Sequence, residues 1–77
     1  MKKSGMKNSG KQEKTVQEVR QAIEDSIRED RIVHLAATPE IEAALVMECE
    51  DYACLGGGET EYWGTDDDGA AWRVHVA

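Results

Sequence analysis

Four side chains in this chain belong to the types that bind metals or act as nucleophiles: His34, Cys49, Cys54 and His75. Thiolates and imidazoles are the usual ligands of zinc. The spacing argues against a site, because four residues separate the cysteines and the histidines lie far from each other in sequence. The reading is of packed thiols and ordinary histidines, with no metal and no cofactor expected. A Cys–His pair such as Cys54 with His75 has the composition of a nucleophile and its base. Nothing in the neighbouring sequence builds a pocket or an oxyanion hole, so no enzymatic activity is expected. Asp66-Asp67-Asp68-Gly69 lacks the alternating acids and terminal Glu of a calcium loop and reads as a solvated hairpin turn. Gly56-Gly57-Gly58 is followed by no Lys-Ser/Thr pair and is flanked by Glu59 and Glu61, which repel phosphate. It reads as a flexible linker.

The elements that must carry these residues follow from periodicity. Val16, Val19, Ile23 and Ile27 recur at helical spacing, with Ala22 beside them. Thr15 is expected as N-cap with Glu18 completing a capping box, giving a helix over 16–29 with a Glu24–Arg28 pair on its outer face. The run RIVHLAA over 31–37 suits a short buried strand. Thr38-Pro39 opens a second helix, with Thr38 as N-cap and Pro39 in the first turn. Ile41, Leu45 and Cys49 form its apolar stripe, and it is expected to end near Tyr52. Residues 59–65 and 70–76 read as two strands around the Asp-Gly turn. In the second of them Trp72, Val74 and Val76 face inward, while Arg73 and His75 face out. Whether Tyr62 or Trp63 faces the helices stays open. The expected fold is α+β in the order helix–strand–helix–strand–strand, with a three-stranded sheet and two helices on one face.

The chain has 77 residues, enough for one small domain, and too few for a dinucleotide-binding or barrel enzyme. No run approaches the length of a membrane span, and residues 1–14 lack the apolar core of a secretory signal. A cytoplasmic protein is expected. The charge is divided. Lys2, Lys3, Lys7, Lys11 and Lys14 meet only Glu13 in residues 1–14, which read as a disordered basic tail. Residues 15–77 read as one acidic domain. Between Ile32 and Trp72 there is no Lys or Arg, while that stretch holds Glu40, Glu42, Glu48, Glu50, Asp51, Glu59, Glu61, Asp66, Asp67 and Asp68.

Such a surface repels nucleic acid and is drawn to proteins whose Lys and Arg are spaced to meet phosphates. A carboxylate takes a phosphate's place in such a groove, bidentate to Arg included. The expected partner is a basic protein surface, with no nucleic acid bound directly and no membrane. Its candidate contacts are Glu24, Asp25 and Glu29 on the first helix, Glu48 and Glu50 on the second, and Asp66, Asp67 and Asp68 at the hairpin tip.

In size and charge character the domain resembles the small acidic phage-encoded anti-CRISPR proteins that act on type I effector complexes. The resemblance is carried by the Lys/Arg-free acidic stretch Glu40–Asp68 and by the acidic face Glu24, Asp25, Glu29. It rests on no motif, so no role is transferred by position. It implies a stoichiometric inhibitor, monomeric and acting in the bacterial host cell. Such a protein occupies a DNA-binding or nuclease-recruitment surface of a CRISPR effector subunit. The basic tail departs from a pure DNA-mimic pattern. An antitoxin-like or regulatory module that masks another basic partner is the alternative.

Overall fold

The computed structural model describes the backbone of residues 3–77 and the side chains of residues 14–77. The elements in chain order are α1 (Lys3–Glu29), β1 (Val33–Leu35), α2 (Pro39–Glu48), β2 (Asp51–Gly56), β3 (Glu59–Thr65) and β4 (Ala71–Val76). The fold is α+β as expected, but the sheet has four strands, in the order β1-β4-β3-β2. β1 runs parallel to β4, and β4–β3 and β3–β2 are antiparallel.

The strand not anticipated is β2. The second helix stops at Glu48, where Cys49 turns to φ −81 and ψ 160, instead of continuing to Tyr52. Extending it would have added Glu50 and Asp51 to the negative end of a helix that has no base in its last turn. The glycines are also not a linker. Gly57 and Gly58 take φ +63 and +82 and form the two-residue turn between β2 and β3. A hairpin turn with both central residues at positive φ is where Gly-Gly is favoured.

α1 also departs from expectation at its start. Its helical backbone begins at Lys3, so Thr15 lies inside it rather than at its N-cap. Propagating an existing helix costs far less than nucleating one, and the packed segment from Val19 onward supplies the nucleus. The expected tail covers residues 1–14. Met1 and Lys2, and the side chains as far as Glu13, lie outside the described residues.

The core is a single layer between the helices and one face of the sheet. Val19 and Ala22 of α1 and Ile41 and Leu45 of α2 pack against Val33, Tyr62, Trp72, Val74 and Val76, all buried. The inward alternation on β4 is as expected. On β3 it is Tyr62 that faces the helices. Gly64 lies opposite Trp72 in the ladder, and a Cβ there would come within 3.0 Å of the indole and 3.2 Å of the Glu50 backbone nitrogen. The glycine therefore makes room for the largest core side chain.

Ser26 is the buried polar residue of this layer. Asp30 takes a left-handed φ of 54 just after α1, and the Arg31 N–H reaches back to the Ser26 carbonyl at 3.2 Å. This six-to-one bond satisfies a carbonyl at the helix end. The Ser26 hydroxyl donates to the Arg31 carbonyl at 2.7 Å and accepts from the Arg73 N–H at 2.9 Å. One hydroxyl thus ties the end of α1 to the first residues of β4.

Candidate protein-binding surface

The strand and helix ends sort the acids by position. The C-terminal ends of α1 and α2, the start of β2 and the β3–β4 hairpin meet at one end of the molecule. Two hydrogen bonds and a shared hollow establish this. The Glu50 N–H donates to the Trp63 carbonyl at 2.9 Å, and Thr65 Oγ1 donates to Glu50 Oε2 at 2.6 Å. An open hollow is lined by Ser26, Asp30 and Arg31 from the end of α1 and by Ala71, Trp72 and Arg73 from the start of β4. Glu29, Asp30, Glu48, Glu50, Asp51 and the tip acids therefore share this acidic pole.

The carboxylates there are not equally available. At the tip, Asp66 is committed to the turn: its Oδ1 accepts from the N–H of Asp68 at 2.9 Å and of Ala70 at 2.8 Å. Gly69, at φ 86, closes the turn with its N–H on the Asp66 carbonyl at 3.0 Å. Asp67 and Asp68 are left exposed. On α1, Arg28 pairs with Asp25 and also lies 3.6 Å from Glu29. The expected pair with Glu24 does not form. Gln21 donates to Asp25 at 3.0 Å, and Arg31 holds Glu29 at 2.5 Å. Glu24 and Glu48 are exposed and make no hydrogen bond or ion pair among the described residues.

The expected contacts thus divide. Glu48, Glu50, Asp67 and Asp68 lie together at the pole and form no ion pair among the described residues, although Arg31 and Arg73 line the hollow nearby. Asp25 and Glu29 are already paired with arginines, Asp66 shapes the turn, and Glu24 sits further back on α1. The fold adds Asp30 and Asp51, which the pattern reading had not singled out. Both follow a helix end, and a correct placement of β2 would have revealed Asp51.

The histidines and cysteines are separated. His34 and His75 are neighbours on the sheet face away from the helices, with ring centroids 5.1 Å apart, and His75 lies 3.1 Å from Glu59. Cys54 shares the helix side of the sheet with Thr60 and Tyr62, and Cys49 caps α2. Among the described residues no three His, Cys, Asp or Glu side chains are grouped to hold a metal. Burial pushes the Cys49 thiol up from its ordinary value, which lowers its thiolate content. Two open hollows flank the start of β4, and neither is lined by a thiol or an imidazole. No described helix is long and apolar enough to cross a membrane.

No family model, curated protein or solved structure matches this chain.

Proposed function

We propose that this protein is a stoichiometric protein ligand that occupies a basic nucleic-acid-binding surface of a CRISPR effector complex, with the acidic pole standing in for phosphates. The observation that carries the reading is where the acids sit. Both helices direct their negative C-terminal ends to the pole. α2 has no base in its last turn, yet Glu48, Glu50 and Asp51 follow one another there. Carboxylates at the negative end of a helix oppose its dipole, so local stability does not explain them. A surface that departs from the local rules without a gain in folding is expected to serve a function. Part of the pole is held in place, because Glu50 is anchored to Thr65 and the turn that carries Asp67 and Asp68 is braced by Asp66. Fixed carboxylates lose less entropy on meeting an Arg-lined groove than mobile ones.

The test is capture of purified type I effector complexes on the immobilised protein, with and without their DNA, over a range of salt. Capture that DNA competes away and that weakens with salt supports the reading, since such attraction is screened over about 8 Å at physiological ionic strength. No capture at low salt, or capture indifferent to DNA, overturns it.

A further inference from the structure

The large apolar side chains most exposed in the body all fall in one short stretch. Val46 and Met47 on α2 and Tyr52 and Leu55 on β2 are 50%, 85%, 48% and 51% exposed. Tyr52 and Leu55 lie on β2 itself, whose outer edge ends the strand order and pairs with nothing among the described residues. An exposed edge strand offers a row of unpaired N–H and C=O groups to another strand. From Tyr52 to Gly58 the chain carries no charge, although charged residues make up 32% of it. The bulge that interrupts β2 lies between Cys54 and Gly56, toward the turn, and leaves Asp51–Cys54 regular. The opposite edge, β1, has only three residues and lies between Arg31 and the chain's turn into α2.

We propose that the outer edge of β2 pairs antiparallel with the same edge of a second copy, joining two four-stranded sheets into one. Symmetry and charge favour a copy of this chain as the occupant. Two antiparallel neighbours related by a two-fold axis keep the same faces up, so one residue must pair with its own mate. The centre of β2 offers Ala53 or Cys54 for that position. With Ala53 at the axis, Asp51 faces Leu55 in the bulge of the other copy; with Cys54 at the axis, it faces Gly57 in that copy's turn. Neither register opposes two carboxylates, so the uncharged edge adds no like-charge cross-strand pair when two chains of net charge −7 meet here. All helices end on the same side of the joined sheet. That brings the Tyr52 side chains, which lie on the helix side of β2, toward each other across the joined edge. The two acidic poles point in opposite directions and, Asp51 apart, stay open, so the inference is independent of the proposed partner. It replaces the monomer expected from the sequence.

The experiment is sedimentation equilibrium of the full chain from low to high micromolar concentration, with Cys54→Glu and Leu55→Glu as separate variants. Both positions are exposed, so the variants are expected to fold, which near-ultraviolet circular dichroism of the tryptophans checks. The parent is expected to reach the mass of two chains. The variant whose glutamate opposes a carboxylate in the register that forms is expected to weaken the dimer at least tenfold. Cys54→Glu opposes two glutamates in one register, and Leu55→Glu opposes Asp51 in the other. Hydrogen exchange at residues 52–55 is expected to slow as the parent is concentrated. A single-chain mass at every concentration overturns the proposal, as does a dimer that both variants leave unchanged. Protection of residues 52–55 that arises only on adding a basic partner protein would place that partner on the edge and equally overturn it.

Discussion

α2 begins and ends among carboxylates, but the two sets differ in what they do for the fold. At its start, Thr38 Oγ1 accepts from the Ile41 N–H at 3.1 Å, Pro39 lies in the first turn, and Glu40 and Glu42 meet the positive end of the dipole. Glu42 also accepts a hydrogen bond from the Tyr62 hydroxyl at 3.1 Å, so this end is tied into the core. At its finish, Glu48, Glu50 and Asp51 meet the negative end without a base. The same residue types stabilise one end and oppose the other. Folding physics accounts for the first set, and partner binding is the account offered for the second.

The largest expected effect comes from loss of the core layer on which both ends of α2 rest. Trp72→Ala is expected to destabilise the protein by about 3–5 kcal/mol, as large-to-small core changes do. Chemical denaturation measures this, and a loss below about 1 kcal/mol would mean that the hairpin does not anchor the core. Gly64→Ala is next, at about 1–3 kcal/mol, because the added methyl crowds the Trp72 indole and the Glu50 backbone. It strains the acidic end directly, where an alanine at most other strand positions would not.

Alkaline pH probes the start of α2. The Tyr62 hydroxyl is pushed up from 10 to about 12, first by burial and then by its hydrogen bond to Glu42. The unfolded chain releases this proton near 10 and the native chain only near 12. In that window the unfolded state binds fewer protons than the native one, so stability falls as pH rises. Tyr62→Phe is expected to remove this part of the decline. Equal slopes for parent and variant across the window would show that Tyr62 is not held as described.

Charge reversal at the two ends of α2 has the smallest expected effects, and they are opposite in sign. Glu40→Lys at the start of α2 is expected to cost about 0.3–1 kcal/mol, and Glu48→Lys at its finish to gain a similar amount. Both side chains are exposed, so packing contributes little. Thermal midpoints that move in the same direction for both would remove the distinction between the two ends.

Much of the core was legible because alternation on β4 and the Thr38-Pro39 start are strong local signals. Trp72, Val74 and Val76 fall inward, and Ile41 and Leu45 are buried, as their spacing requires. β2 was not legible for a physical reason. Ile41, Leu45 and Cys49 continue a helical stripe up to the strand, and Tyr-Ala-Cys-Leu is too short to display a period of its own. Missing β2 turned the glycine hairpin into a linker and hid the sheet edge. The acidic surplus was visible in composition. Its sorting was not, because Arg28, Arg31 and the Asp66 turn decide which carboxylates are already taken. Those are contacts of geometry that spacing alone does not specify.

The central claim is that the acids at the finish of α2 and at the hairpin tip act as phosphate surrogates, while those at its start serve the fold. Two charge-reversed proteins test it side by side in competition with DNA for the purified effector complex. One carries Lys at Glu48, Glu50, Asp67 and Asp68; the other carries Lys at Glu40 and Glu59. Both are to be checked for native circular dichroism. The account predicts that the first no longer competes, because a Lys facing a Lys/Arg groove costs several kcal/mol, while the second competes like the parent. If the first still competes as the parent does, the acidic pole is not the binding surface and the account is wrong.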